Sequence, residues 1–216
     1  MAKKLFWEDP YLTQLDTFIT SVKDTDVTVE QTIFFAFSGG QESDDGSIGN
    51  SRVLQARAEG REIVYTLENG HGLKPGDQVS IKIDWKRRYK LMRLHFAAEI
   101  VLELVYQKLG SIKKIGAHIA KDKARIDFEW DGNISTVLPD IQKEALRMIE
   151  ANQEIKSAFS DEEKEKRYWE IGGFAKVPCG GTHLKKTGEI GKIELKRKNP
   201  GKGKERIEIY VSEDSI

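Results

Sequence analysis

The stretch VSIKIDWKRRYKLMRLHFAAEIVLELVYQKLG, residues 79–110, contains the point at which the chain changes its hydrophobic period. Up to Asp84 apolar and polar residues alternate, as they do in a β-strand with one buried face. From residue 86 the apolar residues recur every three or four positions, as on one face of a helix, until Gly110 interrupts them: Leu91, Leu94, Ala98, Val101, Val105 and Leu109. We therefore predict a boundary between two domains near residue 85.

The residues before this boundary are typical of a small β-barrel. Segments 27–38 and 61–67 are rich in β-branched and aromatic residues, and a loop of Gly, Ser and Asp lies between them. A turn and a further alternating segment, 74–84, follow. Short strands at this spacing favour closure into a barrel.

The residues after the boundary mix helices with strands. Beyond its first helix, the sequence predicts a hairpin at 118–130, a helix at 138–159 with Pro139 in its first turn, and a short helix in DEEKEKRYW, 161–169. Two strands around the loop NPGKGK close the chain. The whole is therefore predicted to be an α+β protein.

Length and composition limit the class of protein. A chain of 216 residues is longer than a typical domain of roughly 100–150 residues, which agrees with two domains. No apolar run approaches the roughly 20 residues of a membrane helix, and the first residues lack the apolar core of a signal peptide. The single cysteine, Cys179, cannot form an internal disulfide, which suits a reducing compartment. We therefore expect a cytoplasmic protein with no membrane partner.

The net charge of zero conceals an asymmetry. Residues 1–84 contain 8 Lys and Arg against 14 Asp and Glu, whereas residues 85–216 contain 27 against 21. Positive charge is concentrated at 86–93, with five basic residues and no acid, and at 185–206, with nine basic residues and three acids. Such runs are either solvated faces or surfaces that contact the phosphates of a nucleic acid.

Two pairs of side chains share a four-residue spacing. His95 and Glu99 project from the same face of the predicted helix. Cys179 and His183 flank two glycines, which allow the backbone to turn tightly enough for both side chains to converge. Each pair alone has an ordinary explanation, as a hydrogen-bonded histidine or a polar turn. Together they supply one thiolate, two imidazoles and a carboxylate, all of which bind zinc in tetrahedral geometry.

Several segments resemble one family. IDWKRRYKLMRLHFAAEIV (83–101) and CGGTHLKKTGEIGKIEL (179–195) are similar to the AlaX alanyl-tRNA editing proteins, free-standing relatives of the editing domain of alanyl-tRNA synthetase. FSGGQESDDG (37–46) resembles the glycine-rich motif of that family's barrel, and ARIDFE (124–129) also matches. The resemblance covers almost the whole chain and is closest to the medium-sized AlaX class.

The resemblance implies a fold and an activity. The fold is an N-terminal β-barrel, residues 1–85, followed by an α/β-sandwich editing core, residues 86–216, with helices packed on an antiparallel sheet. The activity is that of a deacylase with one Zn²⁺ per chain, which cleaves the ester at the 3′-terminal adenosine of tRNA(Ala) mischarged with serine or glycine. Zinc can activate a water molecule or polarise the ester carbonyl in such a reaction.

The metal ligands implied by the resemblance are His95, Glu99, Cys179 and His183. Where the family motif reads H-x-x-x-H, this chain has Glu99 in the second position. Three explanations are open. Glu99 is the fourth ligand, or it is a catalytic base beside an open coordination position, or the affinity for metal is lost.

The resemblance also assigns substrate-binding residues. Gln41 is expected to lie near the amino acid or the terminal ribose, and Gly39 and Gly40 are expected to let backbone amides come close to it. Gln41 and Glu99 are thus the predicted catalytic residues. Basic side chains near the start of the first helix are expected to contact acceptor-stem phosphates: Arg87, Arg88 and Arg93.

Two other functions are compatible with the same residues. One is an editing domain like that of threonyl-tRNA synthetase, which shares the spaced His and Cys/His pairs; the glycine-rich motif and the T-G-E-I-G segment argue against it. The other is a non-catalytic tRNA-binding protein with a structural zinc. A closed set of four protein ligands would favour this second function, and an open coordination position would favour the enzyme.

Overall fold

A computed structural model describes residues 2–110 and 112–212. The predicted α+β class is confirmed, with strands in both halves of the chain and two α-helices in the described part. These residues form two compact units. The first runs to Ser38 and resumes at Glu42–Lys90; the second contains Gly39–Gln41 and the described residues from Leu91 onward.

The division between the units differs in detail from the predicted one. Residue 85 is the first residue of helix α1, Trp85–Leu109, but the units separate after Lys90, within the helix. The segment Gly39–Gln41, predicted as part of the first domain, belongs to the second unit. Its Gly40 carbonyl accepts a hydrogen bond from the Ile119 amide at 2.8 Å, which attaches the segment to a strand of that unit.

The first unit is built from short, mostly antiparallel strands. They are β1 (Lys3–Lys4), β2 (Gln14–Lys23), β3 (Asp26–Val29), β4 (Gln31–Thr32), β5 (Gly46–Ile48), β6 (Ser51–Glu59), β7 (Glu62–Leu67) and β8 (Gln78–Ile83). Strands β2, β3, β7, β6, β5 and β8 pair in that order into a closed barrel, and β1 pairs with β4 in parallel. In β8 the buried Val79, Ile81 and Ile83 alternate with more exposed residues, as their spacing predicts.

The second unit combines two antiparallel sheets with helices. Its elements after α1 are β9 (Lys113–Ile119), β10 (Ala124–Glu129), α2 (Leu138–Glu150), β11 (Lys156–Asp161), β12 (Lys166–Ile171), β13 (Ala175–Pro178), β14 (Ile193–Gly201) and β15 (Lys204–Val211). One sheet has the order β14-β15-β10-β9 and the other β11-β12-β13. Helix α2 contacts β14. Neither helix of the described residues is long and apolar enough to span a membrane.

The three-stranded sheet replaces structure that the sequence predicts as helical. Helix α2 begins with Pro139 in its first turn, as predicted, but it ends at Glu150 rather than 159 because Asn152 adopts a left-handed φ of 46°. The segment 161–169 is a tight turn and strand β12, not a helix. Its charged residues are good helix formers, but burying Trp169 and Ile171 on one strand face outweighs that preference.

Candidate metal centre

Three of the predicted ligands converge in the second unit. The ligand atoms of His95, Cys179 and His183 all lie within 4.8 Å of one another, and both histidines are buried. The Cys179 Sγ is 3.3 Å from the Nε2 atom of each histidine. The two sequence pairs are therefore parts of one cluster.

Glu99 lies beside this cluster, one helical turn after His95 on α1. Its Oε1 atom is 3.3 Å from His95 Nε2 and 3.6 Å from Cys179 Sγ. Zinc bonds of roughly 2.0–2.3 Å at tetrahedral angles separate neighbouring ligand atoms by roughly 3.3–3.6 Å. The separations of Cys179 Sγ from its three neighbours, and of Glu99 Oε1 from His95 Nε2, lie between 3.3 and 3.6 Å and are compatible with a shared zinc ion.

Both histidines are oriented through the ring nitrogen that faces away from the cluster. His95 Nδ1 is 2.5 Å from Oε1 of Gln41. The side-chain amide nitrogen of Gln41 donates to Thr182 Oγ1 at 2.9 Å. His183 Nδ1 is 2.9 Å from Ser157 Oγ. Hydrogen bonds at Nδ1 leave Nε2 for a metal, an arrangement that is usual around metal-binding histidines.

The sheet β11-β12-β13 supplies much of this support. Ser157 on β11 is the direct cross-strand neighbour of Trp169 on β12, and Trp169 Nε1 donates to Glu99 Oε2 at 2.9 Å. Cys179 follows β13, and its amide donates to the carbonyl of Arg167 on β12 at 2.9 Å. The sequence analysis missed Ser157 and Trp169 because it assigned the segments that contain them, 138–159 and 161–169, to helices. The signal for a strand is the alternation of the buried Arg167, Trp169 and Ile171 with more exposed residues.

The second glycine of the CGGTH motif is required by close packing. A Cβ atom at Gly181 would lie 2.0 Å from His95 Cε1 and 2.9 Å from Gln41 Oε1. A Cβ atom at Gly180 would meet no described atom within 4 Å. Both glycines lie outside the left-handed φ region, so the motif needs Gly181 for space rather than for backbone freedom.

The charges of the cluster are strongly coupled. Burial lowers the pKa of His95, but interactions with Cys179 and Glu99 outweigh burial and raise this pKa to about 10. Burial raises the pKa of Glu99, yet hydrogen bonds from His95 and Trp169 bring it down to about 2. Burial and the charge of His95 hold the pKa of His183 well below its ordinary value. A ligand imidazole is neutral, so metal binding would be coupled to the loss of a proton from His95.

Two of the arginines predicted to contact tRNA have buried side chains in this structure. Arg88 is 0% exposed, and its guanidinium forms a buried ion pair with Asp44. Arg93 is 5% exposed and donates to the carbonyl of Ile190. Both guanidinium groups therefore already have acceptors within the protein, and their predicted phosphate role stays a prediction. Arg87 is partly exposed but already forms an ion pair with Glu42 at 2.8 Å.

The structure places the Gln41 side chain against His95. Its side chain is 1% exposed, and both polar atoms of its amide bond to protein partners. This contact suits a residue that orients His95, and the substrate role of Gln41 stays a prediction. Gly40 is needed for packing, because a Cβ atom there would lie 2.5 Å from the Ala117 carbonyl oxygen. Gly39 is exposed, and its substrate role stays a prediction.

Replacing Gln41 with alanine should weaken zinc binding by roughly 10- to 100-fold, the usual effect of removing a residue that orients a ligand. Chelator competition on the purified protein measures this affinity. The adjacent Glu42→Ala is the matched control and should bind zinc as the wild type does. If Gln41→Ala binds zinc normally but slows deacylation, Gln41 acts on substrate instead.

The described residues thus define a class of protein: an α+β protein with a barrel unit and a second unit in which a His/Cys/His cluster can hold a metal ion. Residues 167–208 match the model of the threonyl and alanyl tRNA synthetase second additional domain. This match includes Cys179 and His183.

Full-length relatives identify the family. The chain is 33% identical over 215 residues to the alanyl-tRNA editing protein AlaX-M of Pyrococcus horikoshii, covering 98% of each chain. It is 30% identical over 237 residues to AlaX-M of Saccharolobus solfataricus, covering 98% of this chain and 99% of the relative. It is also 34% identical over 218 residues to the alanine–tRNA ligase of Staphylothermus marinus, covering 90% of this chain and 24% of the ligase. The chain therefore belongs to the AlaX family of alanyl-tRNA editing proteins.

Proposed function

We propose that this protein is a zinc-dependent aminoacyl-tRNA deacylase that removes serine or glycine from mischarged tRNA(Ala) by hydrolysing the ester at the 3′-terminal adenosine. The observation that carries the proposal is the convergence of His95, Cys179 and His183 on one possible metal position in a member of the AlaX family. The near-complete coverage of the AlaX-M relatives favours tRNA(Ala) over the threonyl alternative.

His95, Cys179, His183 and Glu99 would hold the zinc ion. The bound ion would supply Lewis acidity, which polarises an ester carbonyl or activates water. The chain's own residues fix the geometry: Gln41 and Ser157 keep Nε2 of the two histidines directed at one point. This fixed geometry matters because misplacing reacting groups by about 1 Å can slow a reaction by roughly 10²-fold.

Of the three explanations for Glu99, its geometry supports that of a ligand. The distances of Oε1 to His95 and Cys179 match ligand-to-ligand separations, and Trp169 holds the other carboxylate oxygen. A carboxylate and a thiolate together neutralise the formal charge of Zn²⁺, which reduces Lewis acidity relative to a site with more imidazoles. An aminoacyl ester is reactive enough that positioning with modest polarisation can suffice.

The segment 185–206 is the surface we propose for tRNA phosphates. Its lysines are exposed, in contrast to the buried arginines of α1: Lys185, Lys186, Lys192, Lys196, Lys198, Lys202 and Lys204. Arg197 and Arg206 form ion pairs with Glu205 and Asp127, and they contribute less free charge. Lys196 also forms an ion pair, with the exposed Glu194 at 3.2 Å. Affinity for tRNA should therefore fall steeply as salt rises.

A structural zinc in a non-catalytic tRNA-binding protein is the second candidate. The specific observation in its favour is that Glu99 lies close enough to His95 and Cys179 to act as a fourth protein ligand, which would close the site. A deacylation assay separates the two candidates, because only the enzyme releases amino acid from charged tRNA.

The experiment uses the purified chain, its measured zinc content, and tRNA(Ala) charged with serine, glycine or alanine. We expect about one zinc per chain, hydrolysis of the seryl and glycyl esters, and sparing of the alanyl ester. His183→Ala should lose zinc and slow hydrolysis by roughly 10²-fold or more. Zinc-loaded wild-type protein that binds tRNA but hydrolyses none of the three would establish the structural candidate instead.

A further inference from the structure

The indole of Trp169 determines which oxygen of Glu99 faces the ligand cluster. Trp169 Nε1 donates to Oε2 at 2.9 Å, while Oε1 lies 3.3 Å from His95 Nε2 and 3.6 Å from Cys179 Sγ. The two carboxylate oxygens therefore have separate partners. One oxygen is held by the protein and the other is available to a metal.

The direction of this hydrogen bond is fixed by packing around the ring. Trp169 is 0% exposed. Its ring meets that of Phe96 edge to face, with centroids 5.2 Å apart, and stacks on Phe174 at 6.4 Å. The strand also holds it, since Trp169 pairs with Ser157 across β12 and β11. A ring confined in this way cannot turn its N–H toward another acceptor.

The chemistry of this contact distinguishes a carboxylate from an imidazole at position 99. A carboxylate can accept from the indole N–H through one oxygen and bind a metal through the other. A neutral imidazole that binds a metal through one nitrogen has an N–H at the other, so it offers the indole no acceptor. With histidine at position 99, the buried N–H of Trp169 would lose its partner, which is unfavourable.

We propose that Trp169 is a positioning residue that makes Glu99 a single-oxygen metal ligand and makes a carboxylate, rather than an imidazole, the fitting side chain at position 99. This inference rests on the metal centre of the proposed function. It adds a residue outside the ligand set and a coupling between positions 99 and 169.

The experiment measures the zinc affinity of the full-length protein by chelator competition, for the wild type, Trp169→Phe, Glu99→His and the double variant. We expect Trp169→Phe to bind zinc roughly 10-fold more weakly and Glu99→His roughly 10- to 100-fold more weakly. Phenylalanine keeps the ring but removes the N–H, so the double variant should bind zinc at least about 5-fold more tightly than Glu99→His alone. The visible spectrum of the Co²⁺-loaded protein should also change in Trp169→Phe, because loss of the hydrogen bond frees Oε2 to join the coordination.

Controls separate positioning from packing. Tyr168→Phe alters the neighbouring ring on the opposite face of β12 and keeps the indole N–H of Trp169, so its zinc affinity should stay within about 3-fold of the wild type. Urea unfolding of the metal-free proteins reports any general loss of stability. The inference is overturned if Trp169→Phe loses stability but keeps both its zinc affinity and its Co²⁺ spectrum, or if the two substitutions act additively. A wild-type protein that binds no zinc would overturn the proposed metal centre itself, and this inference with it.

Discussion

Replacing Gly181 with alanine is expected to abolish tight zinc binding and to slow deacylation by roughly 10²-fold or more, although the new side chain is a single methyl group. That methyl carbon would lie 2.0 Å from Cε1 and 2.6 Å from Nδ1 of His95, far inside contact distance. His95 cannot stay in place, and it would lose both its bond to Gln41 and its position beside Cys179. A displacement of about 1 Å at such a site is enough for a loss of this size.

The neighbouring glycine provides a matched control. Gly180→Ala adds the same methyl group one residue earlier, where it meets no described atom within 4 Å. Zinc content and single-turnover deacylation should therefore be nearly unchanged in Gly180→Ala and severely reduced in Gly181→Ala. Equal losses in the two variants would show that the motif needs backbone freedom at both glycines, and equal retention would show that the His95 position tolerates displacement.

The sequence predicts which side chains meet at the candidate metal centre better than it predicts the residues that hydrogen-bond to them. Periodicity places His95 and Glu99 on one helix face, and the spacing of Cys179 and His183 around two glycines predicts a compact turn. Ser157 and Trp169 escape prediction because their strands are rich in charged residues with helix propensity. Only the pairing of β11 with β12, a tertiary interaction, decides their conformation.

Burial distinguishes two of the arginines predicted to contact tRNA from the exposed basic residues around them. Arg88 and Arg93 lie in a run of five basic residues, which predicts an exposed phosphate-binding surface. The run, however, is the first part of a helix, and helical geometry turns some of its positions inward, where the guanidinium groups find acceptors within the protein. A one-dimensional count of charge cannot separate these positions from exposed Lys86.

Replacing Asp44 with alanine is expected to lower the free energy of unfolding by about 3–5 kcal/mol, the range typical of breaking a buried ion pair. Asp44 and Arg88 have side chains that are 0% exposed, and Arg88 also donates to the carbonyl of Ile33. The Asp44 carboxylate accepts the Phe35 amide at 2.7 Å as well. The substitution therefore leaves a buried guanidinium without its counter-charge and a buried amide without its acceptor, and each costs free energy.

Urea unfolding of the metal-free protein, followed by circular dichroism, measures this loss. Glu8→Ala is the control within the same unit: its carboxylate pairs with Lys3, but the two side chains are 53% and 60% exposed. Solvent screens such a pair, so the control should lose no more than about 1 kcal/mol. If Asp44→Ala does not fold, Asp44→Asn gives a graded test, because it removes the charge but keeps an oxygen for Phe35. A loss below about 1 kcal/mol in Asp44→Ala would mean that water or another acceptor reaches Arg88, so that its burial in the folded protein is incomplete.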